Sequence, residues 1–221
     1  MPLQERAKAT KVSIVEGAAA VFEEIGYGNT SLSSVAERAG VTKGALYFHF
    51  KSKEDLALAV IESQHEVVSR EGQRVADLGR GALSTMIMTC GGFGRLLVEE
   101  PIVRAGIRLT LEASAFGQSV TRPYHDWIHT MELLTRQGQT EGDIHESVDA
   151  AAFARYLVAS FTGVQMVSGI LTHRADVLRR IEDMWSILLP GMVPDAKLPE
   201  FLAVAHLSIR GADSAEDHSV D

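Results

Sequence analysis

The stretch Thr30–Asp55, TSLSSVAERAGVTKGALYFHFKSKED, decides the reading of this chain. Thr30 or Ser31 can cap a helix that carries Leu32, Val35, Ala36 and Ala39 on its inner side. Gly40 supplies a tight turn, and Thr42 can cap a second short helix running to about Phe48. Ala45, Leu46 and Phe48 are predicted to face inward, with Phe50 closing a small core. Two short helices joined through a glycine make a helix-turn-helix, whose second helix meets base edges and phosphates with its first turns. Those turns hold Thr42, Lys43, Gly44 and Tyr47. Lys43 can donate to guanine O6 or N7. The hydroxyls of Thr42 and Tyr47 suit phosphates, and Gly44 lets the backbone come close. His49, Lys51 and Lys53 follow as further phosphate partners, and Ser31 and Ser33 can meet the DNA backbone from the first helix. The alternative for the same residues is an ordinary three-helix packing unit with solvated cations.

Upstream, residues 7–26 form a helix with Ile14, Ala18, Val21, Phe22 and Ile25 on one apolar stripe. Downstream, Ser52 caps a long helix from Lys53 to about Leu78, with Glu54 and Asp55 in its first turn where the helix dipole favours acids. Further helices are expected at 82–98, 101–113, 121–139, 148–171, 175–189 and 199–210, with a loop at 114–120. Strand-like alternation and internal repeats are absent. The fold class is therefore all-α: a head at 1–52, a helical bundle at 53–211 and an acidic tail at 212–221 that reads as disordered.

The whole chain carries a net charge of −8, which argues against nucleic acid until its distribution is considered. Residues 1–53 hold seven Lys/Arg against five Asp/Glu, whereas residues 54–221 hold fourteen against twenty-four. An acidic body leaves only the head able to approach phosphates, and two heads acting together would offset the weak basicity of one. The 221 residues are 46% hydrophobic, enough for a sizeable core. No run approaches the ~18 consecutive apolar residues of a membrane span, and the first ten residues lack the apolar centre of a secretory signal. A cytoplasmic protein with no membrane partner is expected. Cys90, the single cysteine, reads as a small buried apolar residue. His125 and His129 share a helix face but lack a third ligand, so no metal and no cofactor are expected. Glu99, Glu100, Glu141, Asp143 and Glu146 read as solvated.

Residues 10–55, above all VTKGALYFHFKSKEDL, resemble the DNA-binding domain of the TetR family of regulators. The resemblance implies an all-α homodimer that contacts double-stranded DNA through Thr42, Lys43, Gly44, Tyr47 and His49. Four body segments resemble the γ-butyrolactone autoregulator receptors of actinomycetes: PIVRAGIRL at 101–109, PYHDWIHT around Trp127, FTGVQMVSG at 161–169 and MWSILLPGMVP at 184–194. That resemblance implies a repressor on a palindromic operator, released by a γ-butyrolactone or butenolide-type effector. The alternative is a TetR-like repressor that senses an antibiotic or another small apolar compound. A helical enzyme or carrier is the reading from another class. Neither a nucleophile–base pair nor paired-carboxylate spacing supports it, so the chain is not expected to be an enzyme.

A lactone with an alkyl tail needs an apolar tunnel and a few polar groups at one end. Trp127 offers a flat wall in an otherwise polar stretch, and by resemblance it matches the pocket tryptophan of those receptors; core packing is its alternative. Gln64 can donate and accept toward a lactone or hydroxyl, unless it is a surface glutamine. Ser160 and Gln165 lie on the apolar helix 148–171, where a polar group needs a partner or a cavity. Ser160 can instead bond its own helix backbone, and Gln165 can serve a dimer interface. Phe161, Ile107, Leu111 and Ile87 are candidate pocket walls, with core packing as the default for each. The helices 148–171 and 175–189 are apolar over more than one stripe, and by resemblance they form the homodimer interface. Gly163, Ser168 and Gly169 would allow close approach there.

Overall fold

The computed structural model describes residues 3–113, 117 and 120–210. Its helices are α1 (Leu3–Asn29), α2 (Leu32–Arg38), α3 (Lys43–His49), α4 (Lys53–Ala76), α5 (Ala82–Glu99), α6 (Pro101–Leu111), α7 (Arg122–Thr140), α8 (Ala150–Thr172), α9 (Val177–Leu188) and α10 (Leu198–Arg210). A short 3-10 turn, Leu189–Gly191, follows α9. The described residues contain no strand, and the all-α expectation holds. The acidic tail expected at 212–221 and most of the loop expected at 114–120 lie outside the described residues.

The chain divides into two compact units, Met1–Ser69 with Glu99–Val120, and Arg70–Val98 with Thr121–Asp221. The first unit therefore holds more than the helix-turn-helix. Its core joins Ile14, Ala18 and Phe22 of α1, Val35 of α2, Leu46 of α3, Phe50, Leu56 and Val60, and also Ala105 and Leu109 of α6. Gly17 allows the close crossing of α1 and α2, because a Cβ there would lie 2.8 Å from the Ala39 Cβ. Ile25, expected on the inner stripe, is exposed where α1 breaks at Gly26, φ 75°. Phe48 is also exposed rather than inward. Leu46 sets the core face of α3, Phe50 turns into the core just past its end, and Phe48 lies about 200° round the helix from Leu46.

The end of α1 is held by cations from two other helices. Helices leave their last four carbonyls without internal partners and favour positive charge there. Lys53, at the start of α4, donates from its ammonium to the carbonyls of Tyr27 (2.8 Å), Gly28 (3.3 Å) and Thr30 (2.9 Å), and lies 4.4 Å from the Tyr27 ring centre. From α6, Arg108 donates through Nη1 to the Glu23 carbonyl at 2.7 Å, and Arg104 pairs with the Glu23 carboxylate. Arg108 also bonds Glu112 (2.8 Å), whose other oxygen accepts from the Tyr27 N–H (3.0 Å). The Arg108 guanidinium fills the space beside Gly26 that a Cβ would need. Only a glycine fits both that space and the positive φ.

In the second unit α5 meets three helices through glycines in the run Cys90–Gly94. A Cβ on Gly91 would meet the Ser208 carbonyl of α10 at 2.6 Å, one on Gly92 the Glu71 side chain of α4, and one on Gly94 the Ile181 methyl of α9 at 2.5 Å. Cys90 is buried, and burial pushes its thiol up to about 12, against an opposing contact from Trp185. It is an inert core residue at neutral pH. Two acids read as solvated are in fact partnered: Glu141 accepts from the Ala82 N–H (2.8 Å) at the start of α5, and Asp143 pairs with Lys197 (2.5 Å). By length and composition α8 could cross a membrane. Here one side of it packs inside the unit through Ala154, Leu157, Phe161, Gln165 and Ser168. The described residues hold no cluster of His, Cys, Asp and Glu suited to a metal ion.

The α8–α9 corner places two non-glycine residues, His173 and Arg174, at φ 50° and 69°. Asp176 fastens it. Its carboxylate accepts from Ser168 (2.6 Å), Thr172 (2.7 Å) and Arg180 (2.7 Å). Those hydroxyl bonds first, and Arg180 after them, hold the carboxyl down to about 2. Ser168 is thus engaged inside the unit, and Gly169 faces the Arg174 guanidinium. A depressed carboxylate contributes stability above its unfolded pKa and loses it as pH falls through the folded one. The contribution should be complete above about pH 4 and vanish toward pH 2. Asp176→Asn should remove that part of the acid limb, as read by thermal melts of both proteins between pH 5 and pH 2.

Candidate DNA-reading head and effector residues

The geometry of the head follows from its caps. Ser31 accepts from the Ser34 N–H at 3.1 Å, and the Ser34 hydroxyl accepts in return from the Ser31 N–H, a reciprocal cap that starts α2. Gly40, at φ 65°, makes the turn that an L side chain would strain. Thr42 then caps α3 by accepting from the Ala45 N–H at 3.1 Å. Its hydroxyl proton remains available to an acceptor outside the chain.

With Leu46 and Phe50 turned into the core, Thr42, Lys43, Gly44 and Tyr47 are exposed together on α3. Ser33 is exposed on α2 and His49 is half-buried. Lys51 donates to the Tyr47 carbonyl at 3.1 Å, closing the end of α3. Lys53 stands apart from this group. Its three protons already meet carbonyls at and just beyond the end of α1, so the structure gives it a holding role where the sequence put a phosphate contact.

The expected effector residues fall into both units. Gln64 and Ile107 are buried in the first unit, and Leu111 is exposed there. Gln64 is 0% exposed, and neither its Nε2 nor its Oε1 has a hydrogen-bond partner among the described residues. The alternative of a surface glutamine is excluded. Gly106 of α6 lies directly against it, since a Cβ there would overlap the Gln64 side chain. In the second unit Phe93 lies 5.6 Å from Trp127 and 5.0 Å from Phe161 between ring centres, and Tyr124 stands edge-on to Trp127 at 5.2 Å. Trp127 and Ser160 are half-buried, while Ile87, Phe161 and Gln165 are buried. The sequence reading named Trp127 and Phe161 but not Phe93, which touches both, Tyr124, which touches Trp127, or Gly106, whose smallness shapes the surroundings of Gln64.

Two family profiles match. The bacterial regulatory proteins of the tetR family cover residues 14–60, and the tetracyclin repressor-like C-terminal domain covers residues 80–194. The chain belongs to the tetR family.

Among its TetR-family relatives, the A-factor receptor protein of Streptomyces griseus is 37% identical over 87% of this chain and 67% of its own length. A solved gamma-butyrolactone receptor, described as ArpA-like, is 33% identical, covers 93% of this chain and 98% of its own, and superposes with a TM-score of 0.80. CprB from Streptomyces coelicolor, solved in complex with its biological operator sequence, is 34% identical over 91% and 96% of the two chains, with a TM-score of 0.76. The TetR-family assignment makes this a DNA-binding transcriptional regulator.

Gly44 carries the most direct test of the exposed face of α3. A Cβ at this position would find only the Thr42 hydroxyl, at 3.9 Å, and its φ does not call for glycine. Glycine in a helix is less stable than alanine by up to about 1 kcal/mol. Among the described residues no contact calls for a glycine here, and the sequence reading has Gly44 admit the DNA backbone. Gly44→Ala should leave the melting temperature equal or higher yet weaken duplex binding by about fivefold or more, equivalent to roughly 1 kcal/mol. Thermal melts and fluorescence anisotropy on the same preparation would separate the two effects.

Proposed function

We propose that this chain is a homodimeric repressor that acts in the cytoplasm on a palindromic double-stranded operator. A γ-butyrolactone or butenolide-type molecule releases it. The observation that carries the effector reading is the Gln64 amide, which is fully buried with no partner for its donor or its acceptor among the described residues. An unmade buried hydrogen bond destabilises by about 1–3 kcal/mol, so such a group is kept for a reason. A lactone carbonyl accepts from Nε2 and a hydroxyl donates to Oε1, which satisfies both ends of the amide. A purely apolar ligand satisfies neither. This favours the lactone over the alternative of an antibiotic or other apolar effector, and the names of the relatives point the same way.

Release follows from what Gln64 touches. It stands on α4, whose first residue, Lys53, grips the end of α1. It also abuts Gly106 on α6, whose Arg104 and Arg108 grip the same end of α1. A ligand that bonds the amide and displaces either helix strains the clasp that orients the head. Two heads of a dimer must reach major grooves about 34–36 Å apart, and a change in either orientation spoils that spacing. Moving the population from mostly competent to mostly released needs about 5.5 kcal/mol of preference for the released state.

The dimer surface we propose is the outer side of α8. Tyr156, Ala159, Gly163, Met166, Val167 and Ile170 recur there at three- and four-residue intervals, all exposed. Ile170 is 74% exposed, and the space beyond Gly163 is open. The other two small residues expected at this surface, Ser168 and Gly169, face into their own unit.

Three measurements test the reading. Mobility shifts on duplexes from the upstream region of the gene, with and without a panel of γ-butyrolactones and butenolides, should show specific binding that a panel member releases. Binding that no member releases would move the sensor to the apolar alternative. Gln64→Leu should keep operator affinity and melting temperature but require at least tenfold more lactone for release; a wild-type response would remove Gln64 from the site. Ile170→Asp should sediment as a monomer with unchanged helicity and weakened operator binding. A dimer of wild-type strength would put the interface elsewhere.

A further inference from the structure

On the DNA-facing helix one exposed side chain has no donor to offer. Phe48 is 74% exposed, against the inward position that its hydrophobicity predicts. Single exposed apolar residues are common on protein surfaces and by themselves mean little. Phe48 differs in what surrounds it. It lies one turn beyond Gly44, on the same row of α3, and helical side chains lean back over the preceding turn. The ring therefore borders the open ground above Gly44, where nothing within 4 Å except the Thr42 hydroxyl would meet a Cβ. His49 stands edge-on to the ring, with centres 5.1 Å apart and planes at 88°, which limits its swing. Lys43 and Tyr47, exposed on the neighbouring row, supply the donors.

This surface is shallow at Gly44, apolar at Phe48 and polar on either flank. The edges of the major groove are donors and acceptors, with one apolar group, the C5 methyl of thymine. We propose that Phe48 reads a thymine methyl in each operator half-site and so adds a sequence preference that the donors of α3 cannot supply. The proposal rests on α3 being the DNA-facing helix. It assigns to Phe48 discrimination of thymine from cytosine or uracil, while Lys43 and the hydroxyls hold the register.

The test isolates the methyl. The full-length protein first selects duplexes from a random pool, and the thymines of the recovered half-site are then replaced one at a time by deoxyuridine. For the wild type, one position per half-site should lose about fourfold in affinity, the worth of one buried methyl group. Phe48→Ala should bind the thymine duplex with a similar loss and become indifferent to uracil at that position. Phe48→Leu, which keeps an apolar tip, should retain part of the sensitivity. The proposal is overturned by a selected half-site without thymine, or by a Phe48→Ala protein that binds like the wild type. It is equally overturned by one that is weakened on every duplex yet keeps its sensitivity to uracil, since the ring would then touch sugar and phosphate. Failure of the wild type to select any sequence would instead remove the DNA reading itself. Circular dichroism melts of each variant separate loss of contact from loss of fold.

Discussion

The first unit is organised around the unmet carbonyls at the end of α1. A helix that breaks at a glycine leaves partial negative charge and free acceptors, and a small unit cannot bury them bare. Lys53 answers from α4 and Arg108 from α6, so one electrostatic problem draws together three helices that are far apart in sequence. The hydrophobic core then packs on the same side, with Ala105 and Leu109 of α6 closing over α1 and α4. The clasp is made by long side chains reaching backbone oxygens, and it joins the same helices, α4 and α6, that supply Leu56, Val60, Ala105 and Leu109 to the core.

Much of this was legible in the sequence. Helix positions followed from apolar periodicity and from caps such as Ser31, Thr42 and Ser52, which the structure reproduces within a few residues. The exposed set Thr42, Lys43, Gly44 and Tyr47 was legible because the polar residues crowd one short helix. Phe48 is hydrophobic yet turned outward, because on a seven-residue helix the buried Leu46 fixes the register. Lys53 was also misplaced. A cation near a recognition helix looks like a phosphate partner until the unmet carbonyls of a distant turn are seen beside it.

The residues expected to meet an effector show a different limit. Gln64 could be singled out as a polar group on a mostly apolar helix face, but burial alone tells an orphaned amide from a solvated one, and burial is a tertiary property. Gly106 gives no local signal, since a glycine inside a helix is read as a weak point until the side chain it admits is known. The same holds for Gly91, Gly92 and Gly94, whose three different neighbours could not be read from spacing. Glycines that mark turns are visible in a sequence, whereas glycines that mark helix crossings are not.

The division of the chain has a consequence for building hybrid sensors. A junction at residue 52, where the sequence places the end of the head, would graft the helix-turn-helix onto a foreign α6 and strand Glu23 and Gly26 without Arg104 and Arg108. The transferable module is discontinuous. A chimera that is to keep its own switch needs residues 1–69 and 99–120 from one parent, with the exchange confined to the segments between and after them.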